Sequence, residues 1–165
     1  MTMNTKCAII TLSSRCARGE QEDRSGALLA ERAAECGLEV ARREVLPDDR
    51  AKLEKLLKQL CDKDRLALIL TTGGTGLSPR DVTVEATIEV IEREVPGISE
   101  AGRIYGFRRT PHAMLSRGVS GIRGKTIIIN LPGSSRGVSE TMDALFPWVL
   151  HSFRILRGGG HSVSK

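Results

Sequence analysis

The stretch LALILTTGGTGLSPRDVTVEA, residues 66–86, leaves this chain little freedom in how to fold. Residues 66–71 are apolar or β-compatible, which reads as a fully buried strand. Thr72, Gly73, Gly74, Thr75 and Gly76 then carry almost no side-chain bulk, Pro79 closes the turn, and a helical pattern starts near Thr83. Such a turn lets backbone N–H groups come close to a ligand. The helix start adds unpaired donors and the positive end of a dipole, so the element suits a phosphate. Arg80 adds a fixed cation, and Asp81 an anion able to carry a metal to the same phosphate. The plainer alternative is a tight turn that needs glycine only for φ > 0; the Arg80-Asp81 pair directly after it argues against that. No G-x-x-x-x-G-K-[ST] or G-x-G-x-x-G is present, which excludes the Walker loop and the dinucleotide fingerprint.

The rest of the chain alternates in the same way. Lys6–Leu12 and Glu39–Leu46 read as strands, the second nearer an edge because of Arg42 and Arg43. Residues 13–24 read as a loop. Helices are expected over residues 25–36, 49–61 and 83–93, ended by Gly37 in the first case and by Pro96-Gly97 in the last. Short helices are expected over 98–107 and 111–115. A hairpin strand at 119–122, turning at Arg123-Gly124, leads into Thr126–Leu131, the cleanest strand. A last helix over 138–156 is kinked or restarted by Pro147, and the tail from Gly158 reads as frayed. Alternating strands and helices predict an α/β fold in three layers: a mostly parallel sheet with one antiparallel strand and helices on both faces.

A chain of 165 residues with 40% hydrophobic residues is expected to be one domain with a proper core, built mainly from Leu, Ile, Val and Ala because only five residues are aromatic. No apolar run approaches a membrane span, and the N-terminus lacks a signal-peptide pattern, so a soluble cytoplasmic protein without membrane contact is expected. Cys7, Cys16, Cys36 and Cys61 form no C-x-x-C pair and read as buried free thiols. His112, His151 and His161 give no ligand spacing.

The formal charge of +5 is uneven. Residues 101–139 contain no Asp or Glu but hold seven cations, Arg103, Arg108, Arg109, Arg117, Arg123, Lys125 and Arg136, which leaves the rest of the chain slightly acidic. A one-sign segment attracts anions. Tyr105 and Phe107 are its only aromatics, too few for a base-stacking surface, so nucleic acid is disfavoured against a small phosphorylated ligand.

In an open α/β sheet, ligands sit beyond the carboxyl ends of the strands. Four loops are expected there: Ser13-Ser14-Arg15, Pro47-Asp48-Asp49, the turn 72–81, and Pro132-Gly133-Ser134. Asp48 and Asp81 then reach one edge from two strand ends, a plausible Mg²⁺ position beside a phosphate cradle. The plainer alternative is that each aspartate merely caps the helix after it.

The combination of VLPDD, TTGGTGLSPRDVTVEAT, SRG and NLPGSS, in this order, resembles the molybdenum-cofactor biosynthesis domain, and within it the molybdopterin adenylyltransferases, including the plant and gephyrin-type G domains. The resemblance spans most of the chain. It implies an α/β fold, a homotrimer, and reaction of ATP with molybdopterin to give adenylylated molybdopterin and pyrophosphate, with a molybdate-insertion protein as a further partner. Asp48 and Asp81 match the family's two functional aspartates, implied to be catalytic and to bind Mg²⁺. Thr72, Gly73, Gly74, Thr75 and Gly76 match the phosphate turn, beside Arg80 and Ser13. Asp23, Ser25 and Gly26 match a D-x-S-G element near the nucleotide. Ser116, Arg117, Pro132, Gly133 and Ser134 match the pterin side. Two positions depart from the pattern: Ser14 stands where many relatives have Asp, and Val84 where a proline is common. A second function is compatible with the same motifs, a domain that holds molybdopterin or hands it on without adenylylating it.

Overall fold

The computed structural model describes residues 4–159. His161 and most of the expected frayed tail lie outside them. The elements in order are β1 (Lys6–Leu12), α1 (Ser14–Ala17), α2 (Arg24–Glu35), β2 (Glu39–Leu46), α3 (Arg50–Asp62), β3 (Leu68–Thr72), α4 (Thr83–Val90), β4 (Arg93–Glu94), α5 (Pro96–Phe107), β5 (Ser120–Arg123), β6 (Thr126–Leu131), α6 (Ser135–Leu145) and α7 (His151–Ile155), with 3₁₀ turns at Pro111–Leu115 and Trp148–Leu150.

The six strands form one sheet in the order β2-β1-β3-β6-β5-β4. β1 pairs in parallel with β2 and β3, and β3 with β6. β5 is antiparallel to both its neighbours, so it alone runs against the rest. The fold is the expected three-layer α/β arrangement.

Continuous apolar strands arise because both faces are covered. In β6, Ile127, Ile129 and Leu131 face one core with Leu29 and Ala33 of α2, Val138 and Met142 of α6, and Phe153 of α7. Ile128 faces the other, with Leu53, Leu57 and Leu60 of α3 and Ala86 and Val90 of α4. Each of these fully buried Leu and Ile side chains contributes about 1.5–3 kcal/mol. Burial pushes the Cys7 and Cys61 thiols up to about 12. Cys16 and Cys36 are only half-buried.

β2 is an edge strand, and its arginines are matched there: Arg42 Nε donates to Glu44 at 2.8 Å and Arg43 to Asp23 at 3.0 Å. Several boundaries differ from expectation. The loop after β1 contains one helical turn, α1, because the Ser13 hydroxyl accepts from Cys16 N–H at 3.2 Å. α4 stops at Val90 because Ile91 is extended (φ −69°, ψ 147°), which frees Arg93 and Glu94 to pair with Ile122 and Gly121 of β5. Pro96 does not follow a helix end but opens α5, where its missing N–H is no loss. The last helix is two: α6 ends at Leu145, and Phe146 is extended ahead of Pro147.

Candidate functional site

Because β1, β2, β3 and β6 are mutually parallel, their carboxyl ends share one edge, and hydrogen bonds stitch the emerging loops together. Ser13 N–H donates to the Leu46 carbonyl at 2.9 Å, joining the ends of β1 and β2. Asp48 Oδ2 accepts from Ser14 N–H at 3.1 Å and from the Ser14 hydroxyl at 2.7 Å, while Ser14 Oγ accepts from Asp48 N–H at 3.0 Å. On the other side, Thr72 Oγ1 donates to the Pro132 carbonyl at 2.6 Å and Gly73 N–H to the Leu131 carbonyl at 3.3 Å.

The glycines of the turn are dictated by this crowding. Gly73 has φ +92°, and a Cβ there would collide with the Leu12 carbonyl oxygen. Gly74 has φ +68°, and its Cβ would strike the Thr83 hydroxyl, which donates to the Gly73 carbonyl at 2.9 Å. A Cβ on Gly133 would lie 3.2 Å from Gly73 Cα. Three loops thus meet backbone to backbone.

Around this meeting point lie three hollows. A polar cleft of about 300 Å³ is lined by Ser13, Arg15, Asp23, Ser25, Thr72, Gly73, Gly133 and Ser134, among others. A more apolar cavity of about 220 Å³ lies between α5, β6, α6 and the 3₁₀ turn; Ser116, Pro132 and Ser134 line it. Ser134 is common to both. An open hollow of about 350 Å³ is bounded by Arg50, Asp81, Glu85 and Arg117.

Asp23 is fully engaged. It accepts from Gly26 N–H, Thr11 Oγ1 and Arg43, each at 3.0 Å, and so caps α2. Gly26 is buried against that cap; a Cβ would collide with Thr11 and the Asp23 carboxylate.

Neither Asp48 nor Asp81 caps the helix that follows. Asp49 caps α3 through Lys52 N–H at 3.0 Å, and α4 has no side-chain cap. Asp81 Oδ2 accepts from Ser78 N–H at 2.9 Å, within the turn. Of the three hollows, Asp81 lines the one it shares with Arg50, two residues beyond Asp48, and Asp48 lines none of them. Arg80 is exposed, with its N–H on Ser78 Oγ at 3.3 Å.

Arg117 stands apart from the other pterin-side residues. Its N–H donates to the Thr75 carbonyl at 2.8 Å, Nε to the Gly76 carbonyl at 2.7 Å, and Nη2 to the Asp81 carbonyl at 3.1 Å, while Nη1 binds Glu85 Oε1. Arg117 therefore clamps the second half of the loop 72–81, from Thr75 to Asp81. The Arg117 hydrogen bond holds the Glu85 carboxyl below the usual glutamate range, against a burial effect that raises it. Glu85 is not legible as a site residue: its partner Arg117 is 32 positions away, and nothing in the linear order pairs the two. Its one signal was an acid in the first turn of the helix after the glycines.

Residues 8–151 match the family described as "Probable molybdopterin binding domain". The molybdopterin adenylyltransferase of Helicobacter pylori is 36% identical over 159 residues, covering 95% of this chain and 90% of that protein. The molybdenum cofactor synthesis protein cinnamon of Drosophila melanogaster is 38% identical over 148 residues, 87% of this chain but 24% of that longer protein. Among solved structures, the molybdopterin biosynthesis enzyme MoaB of Thermus thermophilus superposes with a TM-score of 0.88 at 45% identity, covering 93% of this chain and 97% of the other.

Proposed function

This chain belongs to the molybdopterin-binding domain family of molybdenum-cofactor biosynthesis, and from that premise we propose that it transfers the adenylyl group of ATP to molybdopterin. The observation that carries the reading is the joined rim: a polar cleft and a more apolar cavity that meet at Ser134, beside a clamped glycine turn. Two different halves of a phosphorylated pair fit two adjoining hollows of opposite character. The names of the bacterial relatives at 36–37% identity support the same reaction.

The terminal phosphate of molybdopterin is already an anion. One of its oxygens attacks the α-phosphorus of ATP, the new O–P bond forms as the bond to the β-phosphate oxygen breaks, and pyrophosphate leaves. No strong base is required; the demand is for charge neutralisation and in-line placement of two polyanions. Thr72, Gly73, Gly74, Thr75 and Gly76 present the nucleotide side with Arg80, Ser13, Ser25 and the Asp23–Gly26 cap. Ser116, Pro132, Gly133 and Ser134 present the pterin side, and Arg117 holds the turn between them. An aligned backbone donor is worth roughly 3–4 kcal/mol in such a transition state.

Asp48 and Asp81 fit Mg²⁺. Hydrogen bonds occupy Oδ2 of each, leaving Oδ1 on a carboxylate fixed in place. Mg²⁺ takes one or two carboxylates and completes its shell with phosphate oxygens and water. When bound, the ion supplies charge neutralisation at the phosphates.

Incubation with ATP, Mg²⁺ and molybdopterin is expected to release pyrophosphate in step with adenylylated product. Tight pterin binding without pyrophosphate would instead support the second reading, a molybdopterin-holding domain. The proposal extends to a homotrimer and to a molybdate-insertion partner. Exposed Ile104 and Phe107 of α5, with Met114 and Leu115, offer apolar surface for self-association, and light scattering after gel filtration tests it. Among the described residues no helix is long and apolar enough to cross a membrane.

A further inference from the structure

We propose that Thr87 is a positioning residue for adenylyl transfer: through Thr83 and Asn130 it aligns the glycine turn with residues 116–119, whose Ser116 and Gly118 line the neighbouring cavity. The inference rests on the adenylyl-transfer reading above and adds a residue that lines none of the three hollows.

α4 packs on the sheet through Ala86 and Val90, yet a line of polar side chains crosses the same face. Thr71, Thr83 and Thr87 are fully buried and Asn130 nearly so. Thr83 Oγ1 donates to the Gly73 carbonyl at 2.9 Å, and Thr83 N–H to the Gly74 carbonyl at 3.2 Å. Thr87 Oγ1 donates to the Thr83 carbonyl at 2.8 Å and accepts from Asn130 Nδ2 at 3.0 Å. Asn130 Nδ2 also donates to Thr71 Oγ1 at 2.9 Å, and its Oδ1 accepts from Val119 N–H at 3.3 Å. The line starts on a carbonyl of the glycine turn and finishes on the backbone two residues past Arg117.

Filling space does not require it. Valine has the shape of threonine and carries no polar atom to satisfy. A buried hydroxyl adds direction, because arrangements that leave it or its partners unpaired are costly. Thr87 joins the two halves of the line. Without its hydroxyl, Asn130 keeps only Thr71 as an acceptor, and α4 with its attached turn is no longer pinned to β6. The turn must meet the phosphates in register with the second substrate, and a misplacement of about 1 Å costs roughly 100-fold in rate.

The test follows single backbone amides by hydrogen exchange with and without adenosine 5′-(α,β-methylene)triphosphate and Mg²⁺, beside steady-state pyrophosphate release from ATP and molybdopterin. None of residues 116–119 lines the polar cleft. The nucleotide analogue is nevertheless expected to slow exchange at Val119 N–H in the wild type, and Thr87→Val to abolish that slowing. Arg117 N–H, held directly by the Thr75 carbonyl at 2.8 Å, should slow in both. Thr87→Val is expected to lower kcat about tenfold or more with KM for ATP little changed, and Thr87→Ser to restore it. Bound nucleotide that leaves Val119 exchange unmoved in the wild type overturns the proposal, and needs no variant to fold. So does a Thr87→Val chain that is less stable to urea but turns over normally, since the hydroxyl would then serve stability alone. Val119 slowing that Thr87→Val abolishes, without pyrophosphate release by the wild type, sustains the alignment and sinks adenylyl transfer. Pyrophosphate release with Val119 unmoved does the reverse, and failure of the nucleotide to bind sinks both.

Discussion

Ser14 and Asp48 hold each other by both ends: the serine hydroxyl donates to Asp48 Oδ2 at 2.7 Å and accepts from Asp48 N–H at 3.0 Å. They come from the ends of adjacent strands, β1 and β2, so the contact fixes one loop against the other. A second carboxylate at position 14 would face Asp48 as a like charge; the serine replaces repulsion with a donor.

Removing that hydroxyl tests its positioning role. Ser14→Ala leaves Asp48 the Ser14 N–H alone, and turnover is expected to fall about tenfold with pterin affinity intact, the worth of one hydrogen bond to a charged group. Pyrophosphate release against pterin titration measures the split; a loss of pterin affinity instead would place Ser14 at the wrong substrate.

Asp81→Asn preserves an oxygen for Ser78 N–H and so preserves the turn, while removing the charge proposed for Mg²⁺. Pterin binding is expected to persist and most turnover to vanish. Unchanged turnover would remove Asp81 from the chemistry.

Arg117→Ala deletes the side-chain bonds to the Gly76 and Asp81 carbonyls and to Glu85. Urea unfolding is expected to show a loss of about 1–2 kcal/mol, most of it from the carbonyl anchors, because the ion pair is 34% and 41% exposed and heavily screened. Pterin and ATP affinities should weaken together, as suits a clamp on the shared turn. Weakening for pterin alone would favour direct contact, the role the motif resemblance implied.

The same pair gives stability a pH signature. Glu85 has its native pKa lowered by the Arg117 hydrogen bond, so the unfolded chain takes up the proton first as pH falls. The stabilisation is therefore complete above the unfolded value, about 4.3, and is lost as pH drops through the lower native value. Glu85→Gln is expected to flatten the acid limb of a stability–pH curve by under about 1 kcal/mol. An identical limb in wild type and variant would show that the pair does not survive in solution.

Gly73→Ala places a methyl group against the Leu12 carbonyl at φ +92°. A destabilisation of about 2 kcal/mol or more is expected in the same urea assay. A neutral result would mean that the loops do not meet as closely as described.

Much of the architecture was legible because it depends on local patterning. β1 and β6 follow their apolar runs, and Arg42 and Arg43 mark β2, a mixed stretch, as an edge. The boundaries over residues 91–96 have one cause: helix periodicity and proline speak for a helix there, whereas Arg93 and Glu94 answer to a distant strand, β5. A two-residue pairing has no period to detect.

The candidate site divides the same way. Strand–turn–helix order and bare glycines were enough to send four loops to one rim, because parallel strands leave no other choice. What the linear order could not determine is which side chain faces which hollow. Arg117 turns to Gly76, Asp81 and Glu85 instead of the cavity beside it, and Glu140, on that cavity's wall, pairs with Arg136. The direction of Arg117 depends on partners tens of residues away, whose closeness exists only after the sheet has assembled and burial has priced every unpaired polar atom.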